Sequence, residues 1–456
     1  MQINPSIFKS YDVRGIYSDT LTNDIAYRIG RAYVTLIQSE NQEKQLTILV
    51  SRDIRLSSQS LSQNLIKGLT DQGANVVDIG LASTPTMYAA TSYFGHDGGI
   101  QVTASHNSKE YNGFKMVRAH AVPVSGETGI NFIRDLVIKN IFSSPVSVGH
   151  VETKTDILPE LFKSQQNEWQ VDLSNIKPLK IVIDAANAMG ILDYPEILAN
   201  TPCELIKLNF ELDGNFPAHQ PDPLDEKNLV PLQEAVKQYH ADLGIAPDGD
   251  GDRVFFVDNN GDLIRQEILR GLMAQIVLKK FPGSTVCYDI RPGRITRDMI
   301  EAVGGKAVVT KVGHSLIKEQ MIRENSPFSG ESSGHYFFRF SYGSFESPAM
   351  LVWQFLNLIS TQDKPVSDII APYKIYYHSG EINSTVADPK AKIEEIKVKY
   401  ADGQIKLLDG VTIEFTDWWF NVRASNTEPL LRLNLEAKTQ KLMEEKRDEV
   451  LILIQS

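Results

Sequence analysis

Three times along this chain, in the same order, a short apolar run closes on an acidic residue and gives way to a helical pattern. Leu46-Thr47-Ile48-Leu49-Val50 leads to Ser51-Arg52-Asp53, Lys180-Ile181-Val182-Ile183 to Asp184, and Ser284-Thr285-Val286-Cys287-Tyr288 to Asp289. Runs this short and this apolar fit strands buried on both faces, as in parallel sheets. Each is followed by a helix, a second strand (Val76 to Gly80, Glu204 to Leu208, Lys306 to Thr310), a second helix, and a third strand that delivers a polar loop. That order predicts three copies of one α/β plan. Ligand loops of open α/β sheets gather at the carboxyl ends of strands, so the three polar loops are expected to converge.

The helices between these strands carry their own signals. Ile25, Ile29, Val34 and Ile37 recur near helical spacing between Thr22 and Ser39. Ser57 or Ser58 is placed to cap a helix bearing Leu61, Leu65, Ile66 and Leu69, and Pro85 to start another. A polar stretch near Ser143 to Lys154 divides the first copy from the second, which ends soon after Arg253. The third runs through a helix of about Ser347 to Ser360, before a linker that begins at Thr361. The remainder changes order: a strand at Lys374 to Tyr377, a helix near Lys390, two strands at Val411 to Phe415 and Trp418 to Arg423, a loop to Pro429, a strand from Leu430 and a last helix. This reads as a small α+β domain. The expected division is 1–150, 151–254, 255–366 and 367–456, in keeping with 456 residues being too many for one core.

With 46 basic and 57 acidic residues the net charge is −11, which argues against a nucleic acid or an anionic membrane as partner. The first residues show no basic and apolar leader, and no apolar run approaches the ~18 residues that cross a bilayer. A cytoplasmic protein is expected. Cys203 and Cys287 stand in strand-like contexts and are expected to be buried free thiols.

The first polar loop, Thr103 to Lys115, sets the hydroxyl of Ser105 beside the imidazole of His106, with the Lys115 ammonium further on. His106 and Lys115 are candidates to neutralise charge or move protons. A serine-hydrolase elbow would need glycine at both flanking positions, where Thr103 and Asn107 stand. In the second loop Asp248, Asp250 and Asp252 alternate with glycines and are followed by Arg253. Three carboxylates this close repel one another and suit a hard cation such as Mg²⁺ or Ca²⁺; a solvated acidic turn is the competing reading. An EF-hand is excluded, because its sixth position is Arg253 and its twelfth Asn259. Three carboxylates leave Mg²⁺ positions that phosphate oxygens commonly fill, and a phosphorylated Ser105 would supply one.

In the third loop Glu331, Ser333 and His335 alternate between Gly330 and Gly334. A carboxylate and a hydroxyl suit vicinal sugar hydroxyls; an ordinary turn is the competing reading. Arg291, Arg294 and Gly313-His314-Ser315 read equally as ligand groups or as ordinary caps and surface charges. Arg423, Ser425, Asn426 and Thr427, with Arg432 beyond, form a donor set for a phosphate monoester, against a salt bridge plus turn. One phosphate on Ser105 and a second held here imply a phosphorylated sugar as substrate.

Together these loops resemble the α-D-phosphohexomutase superfamily, most closely its phosphomannomutase/phosphoglucomutase branch. Thr103-Ala104-Ser105-His106-Asn107 through Lys115 is similar to its phosphoserine loop, Asp248 to Arg253 to its metal loop, Gly330 to His335 to its sugar loop, and Arg423 to Pro429 to its phosphate loop. Tyr11-Asp12-Val13-Arg14-Gly15, a plain turn by itself, fits the family's N-terminal motif and makes Arg14 a candidate. Ser108 departs from the pattern, standing where the family usually has proline. The resemblance implies three mixed-sheet α/β domains and a C-terminal α+β domain around a central cleft. It implies reversible transfer between the 1- and 6-positions of a mannose or glucose phosphate, through phospho-Ser105 and a hexose 1,6-bisphosphate that also serves as activator. One Mg²⁺ would be held by Asp248, Asp250, Asp252 and the phosphoserine. Ser105, His106, Lys115, Arg14 and His335 would serve catalysis, and Arg253, Arg291, His314, Glu331, Ser333, Arg423, Ser425, Asn426, Thr427 and Arg432 would bind substrate. A monomer or weak homodimer is expected. The alternatives are a phosphoglucosamine mutase, whose branch often has glutamine where Ser332 stands, and a non-catalytic sugar-phosphate sensor, which would have lost the serine or an aspartate.

Overall fold

The computed structural model describes residues 3–40, 45–143, 147–424 and 430–456. Among the described residues the strands run in chain order: β1 (Val13–Ile16), β2 (Thr47–Arg52), β3 (Asn75–Leu81), β4 (Gly98–Val102), β5 (Tyr111–Arg118), β6 (Val151–Thr153), β7 (Lys180–Asp184), β8 (Glu204–Leu208), β9 (Leu243–Pro247), β10 (Val254–Asp258), β11 (Thr285–Asp289), β12 (Lys306–Thr310), β13 (Phe328–Gly330), β14 (Tyr336–Phe340), β15 (Gly343–Glu346), β16 (Tyr377–Thr385), β17 (Gln404–Lys406), β18 (Val411–Glu414), β19 (Trp418–Ala424) and β20 (Leu430–Ala437). The chain divides into two compact units, 1–264 with 333–367, and 265–332 with 368–456.

The first unit holds two mixed sheets. One has the order β1-β5-β4-β2-β3-β6, in which β2 pairs in parallel with β3 and β4, while β5 runs antiparallel to both β4 and β1. The other has the order β10-β9-β7-β8, with β9 parallel to β7 and antiparallel to β10. Both therefore turn the chain straight back after the strand that bears a polar loop, β4 or β9, so each loop is pinned at both ends. The apolar runs of β2, β4, β7, β9 and β10 are buried almost throughout. Helices Asn23–Glu40 and Ser58–Asp71 pack closely because two glycines face them: a Cβ on Gly68 would lie 2.0 Å from the carbonyl oxygen of Tyr27. The β14–β15 hairpin and the helix Pro348–Ser360 complete this unit. The Trp353 indole donates to Ile197 O at 2.8 Å, and the rings of Phe256 and Phe355 lie 4.9 Å apart.

In the second unit β11 pairs in parallel with β12 and β13, flanked by helices Gln266–Lys280, Arg294–Ala302 and His314–Arg323. Its C-terminal part is an antiparallel sheet of order β16-β20-β19-β18-β17, backed by helices Pro389–Lys399 and Gln440–Gln455 around a core that includes Val422, Phe420, Leu433 and Ile454. The mixed α/β class and the α+β remainder are as expected. Among the described residues no helix is long and apolar enough to cross a membrane.

Three local expectations need correction. The strand expected at Lys374 to Tyr377 begins only at Tyr377 and runs to Thr385; Ala371–Tyr373 forms a 3-10 turn and Ile375 is exposed. The strand is held by its pairing with β20, while its sequence, YHSGEINST, carries little apolar signal. Cys203 is only half-buried and precedes β8 rather than lying in it, whereas Cys287 is buried; both are free thiols. Ser57 occupies the cap position of its helix without bonding a backbone N–H, because its hydroxyl accepts from Asn112 Nδ2 at 2.8 Å instead.

Candidate active site

Ser105 lies in the turn between β4 and β5, buried, with a left-handed backbone (φ 51°). Its Oγ donates to Asp248 Oδ2 at 2.7 Å and stands 3.1 Å from His106 Nδ1. Asp248, Asp250 and Asp252 follow β9 and precede β10, are all buried, and each places one carboxylate oxygen within 4.8 Å of the others. Two loops that are 143 residues apart in sequence thus meet at one hydroxyl.

The electrostatics of this cluster are strained. Burial first, then the charges of Asp252 and Asp250, push the Asp248 carboxyl up to about 7. Burial alone would raise Asp252 too, but Lys115 and then His335 outweigh it and hold it well below the usual range. The Lys115 ammonium donates to Asp250 Oδ2 at 2.7 Å and to Asp252. Burial opposes its charge, yet the three aspartates win and its pKa is raised, so Lys115 stays protonated. His106 is driven the other way, by burial and then by Arg253, Arg14 and Lys115, and is neutral near pH 7. Arg14 pairs with Asp12 at 2.5 Å and donates to the side-chain oxygen of Asn107. Arg253 lies 4.0 Å from Asp248, and its buried Nε and Nη1 donate no hydrogen bond among the described residues. His335 Nε2 is 3.2 Å from Asp252 Oδ1, and Ser333 Oγ is 2.8 Å from His335 Nδ1.

The acidic loop fits a hard divalent cation. Its donors are all oxygens, and Asp250 Oδ1 is buried without a hydrogen-bond partner among the described residues.

In the second unit Glu331 Oε1 accepts from Arg291 Nη2 and from the backbone N–H of Gly313, both at 3.0 Å; the latter immediately precedes the helix opened by His314. Arg291 also pairs with Asp289, at the end of β11. Asp289 Oδ1 in turn accepts from Arg270 at 2.5 Å and from Ser332 N at 2.9 Å. On the C-terminal sheet Arg423 donates to Glu381 Oε2 at 2.7 Å, and Arg432 approaches Glu381 Oε1 at 3.4 Å. Burial by itself would raise Glu381; Arg423 and Arg291 outweigh it and hold it low. Ser425, Asn426 and Thr427 lie outside the described residues.

Ser105, His106, Lys115, Arg14, the three aspartates, Arg253, Ser333 and His335 thus gather in one cluster of the first unit. Arg291, Glu331 and the start of the His314 helix gather in the second unit, as do Arg423 and Arg432. Sequence reasoning missed Asp53, Arg55, Arg270 and Glu381. Asp53 and Arg55 were legible only as charges following an apolar run. Arg270 and Glu381 had no motif, since the one faces inward from a helix and the other sits on a strand without apolar signal. Arg294 proves structural: it donates to the carbonyls of Phe415 at 2.7 Å and Trp418 at 3.2 Å.

Four family models match in succession: phosphoglucomutase/phosphomannomutase alpha/beta/alpha domains I (residues 5–143), II (160–261) and III (266–376), and the C-terminal domain of the same family (381–453). The chain is 41% identical to a phosphomannomutase of Vibrio cholerae over 98% of both chains. This chain belongs to the phosphoglucomutase/phosphomannomutase family. It is 38% identical to a phosphomannomutase/phosphoglucomutase of Pseudomonas aeruginosa, over 96% of this chain and 93% of that one. A crystal structure of a phosphoglucomutase/phosphomannomutase family protein from Burkholderia thailandensis is similar with a TM-score of 0.90 and 30% identity, covering 99% of this chain and 97% of that one. As a member of the family the protein is an isomerase, an intramolecular phosphotransferase acting on hexose phosphates. Such enzymes are metal-dependent, in line with the acidic loop.

Proposed function

We propose that the protein interconverts hexose 1-phosphates and hexose 6-phosphates of mannose or glucose, with Ser105 as the phosphoryl carrier. The observation that carries this reading is the short contact from Ser105 Oγ to Asp248, at the mouth of the three-aspartate loop. Asp248, Asp250, Asp252 and a phosphate oxygen on Ser105 would hold Mg²⁺, which when bound draws charge from the phosphoryl group.

Phospho-Ser105 transfers its PO₃ group to the free hydroxyl of the bound hexose monophosphate. The hydroxyl oxygen forms the new P–O bond, its proton passes to a nearby base, and Ser105 Oγ leaves and takes a proton. The product is a hexose 1,6-bisphosphate. It turns over in the site, and Ser105 Oγ then attacks its other phosphate by the reverse steps. A bisphosphate that escapes leaves the serine unphosphorylated, which makes added bisphosphate an activator. Lys115, fixed as a cation, neutralises the transferring group rather than moving its proton, and the free donors of Arg253 suit phosphate oxygens. His106, neutral beside Oγ, and His335 are placed to accept protons, with Arg14 adding charge. Glu331 and Ser333 take sugar hydroxyls with Arg291 and His314. Arg423, Arg432, Ser425, Asn426 and Thr427 hold the phosphate that is not reacting. On this reading 1–150 carries the phosphoserine, 151–254 the metal, 255–366 the sugar and 367–456 the distal phosphate. We place the enzyme in the cytoplasm, as a monomer or weak homodimer, a state that sedimentation equilibrium reads directly.

The test is turnover of mannose 1-phosphate, glucose 1-phosphate and glucosamine 1-phosphate, each with Mg²⁺ and a bisphosphate primer, alongside intact-mass detection of one phosphate on Ser105. Turnover of mannose or glucose phosphate with a phosphorylated wild type and an unphosphorylated Ser105→Ala supports the reading. Failure to turn over either sugar overturns it.

A further inference from the structure

We infer that Arg55 is the positioning residue of the Ser105 loop, tying four of that loop's carbonyl oxygens to the end of β2. The inference rests on the reading of Ser105 as phosphoryl carrier. A guanidinium has five N–H donors in a fixed plane, and Arg55 uses them all. Nε donates to Asp53 Oδ2 at 3.1 Å, Nη1 to Ser108 O at 2.7 Å and Tyr111 O at 3.0 Å, and Nη2 to Ser105 O at 2.7 Å and Asn107 O at 2.6 Å. The side chain has no exposed surface, and the Phe216 ring lies over it at 5.1 Å. A group so enclosed, with no donor left for a substrate, acts on the loop alone.

Its anchor is fixed in turn. Asp53 accepts from Ser58 Oγ at 2.5 Å, from Thr103 Oγ1 at 2.7 Å and from Arg55 N at 3.0 Å. Thr103 Oγ1 also accepts from the backbone N–H of Ser105 at 2.8 Å. The N–H of Ser105 is therefore held through Thr103 and Asp53, and its carbonyl by Arg55 directly. Ser105 needs this hold, because a non-glycine residue keeps a left-handed backbone only where its surroundings impose it. The other face of that carbonyl is closed by the aspartate loop: a Cβ on Gly249 would lie 2.4 Å from Ser105 O. With the backbone clamped at N–H and C=O, the direction of Oγ toward Asp248 is set before any substrate arrives. Lysine cannot replace this residue, since an ammonium has three donors and no plane.

The experiment compares Arg55→Lys, Arg55→Ala and Thr103→Val with wild type in the full chain, reading kcat, KM, phosphate incorporation at Ser105 and unfolding temperature. Both Arg55 variants are expected to lose about 100-fold in kcat, the scale of a misplacement near 1 Å, with KM changed less than about threefold. Methylguanidinium is expected to restore at least about tenfold of the Arg55→Ala loss and nothing of the Arg55→Lys loss, which a general loss of stability would not produce. Thr103→Val keeps its shape but drops the link to Ser105 N, and should lower kcat about tenfold. Should Arg55→Ala fail to fold, Arg55→Lys and Thr103→Val decide. Near-wild-type kcat in those two variants, or a loss confined to KM, overturns the inference. A Ser105→Ala enzyme that still turns over, by contrast, overturns the phosphoserine reading itself.

Discussion

The two charged regions of this molecule solve opposite problems. In the first unit three buried aspartates gather beside one hydroxyl, which donates to Asp248, with Lys115 against two of them and Arg253 further off. In the second, Arg423 and Arg432 share a single carboxylate, Glu381, and Arg432 remains about a third exposed. The carboxylates of the first are all buried; the second is partly exposed and has more room. A centre where bonds form and break gains from fixed dipoles and excluded water. On the proposed cycle, a grip that accepts either end of a reorienting substrate gains from side chains that can change partner. The contrast suggests that changes in the first cluster act mainly on kcat and changes in the second mainly on KM.

Ser105→Ala is expected to break this comparison most sharply, with a loss of at least about 10⁴-fold in kcat; a steady-state assay with primer checks it. Asp250→Asn, or removal of divalent metal with EDTA, is expected to cost about 10²–10³-fold. Restoration of the chelated wild type by Mg²⁺, with no matching recovery of the variant, would separate the two. Gly249→Ala drives a methyl against the Ser105 carbonyl and should lower kcat about 10- to 100-fold with KM little changed. A variant affected only in KM would show that the backbone there has slack. Arg423→Lys tests the other side: KM is expected to rise about tenfold and kcat to change less than threefold. The smallest effect concerns stability. Burial, and next to it the charge of Glu267, lifts the Glu436 carboxyl from 4.5 to about 7, although the Trp419 indole donates to it at 3.0 Å. The folded state then binds more protons than the unfolded between those values, so stability falls as pH rises from 4.5 to 7 and stays low above. Glu436→Gln should raise the Tm by about 2–4 °C at about pH 8 and hardly at about pH 5; equal shifts at both pH values would exclude the charge as cause.

Much of this was legible in the sequence because the strands are buried on both faces and so read as apolar runs. β2, β7 and β11 each close on the acidic residue or just before it, and the loops after β4 and β9 carry unmistakable chemistry. What the sequence could not show were side chains whose meaning lies in partners far away. Arg55 bonds carbonyls fifty or more residues distant, and Glu381 on β16 meets Arg423 on β19 only across the intervening β20. β16 itself was misplaced because an antiparallel strand with mostly polar side chains is defined by its ladder rather than by its hydrophobicity. Cys203 was misjudged because it stands one residue outside a strand whose own side chains are only half-covered.

The first unit is not contiguous in the chain. Its last pieces, the β14–β15 hairpin and the Pro348–Ser360 helix, follow a detour of 68 residues, 265–332, through the second. A ribosome therefore releases β7 to β10 well before it makes Trp353 and Phe355, which cover Ile197 and Phe256. Until some 360 residues have been made, the β7–β10 sheet of the first unit stands with an apolar flank uncovered. The cluster around Ser105 is thus encoded early but finished late, and a nascent chain stalled within the detour is the form of this protein most exposed to chaperones and to aggregation.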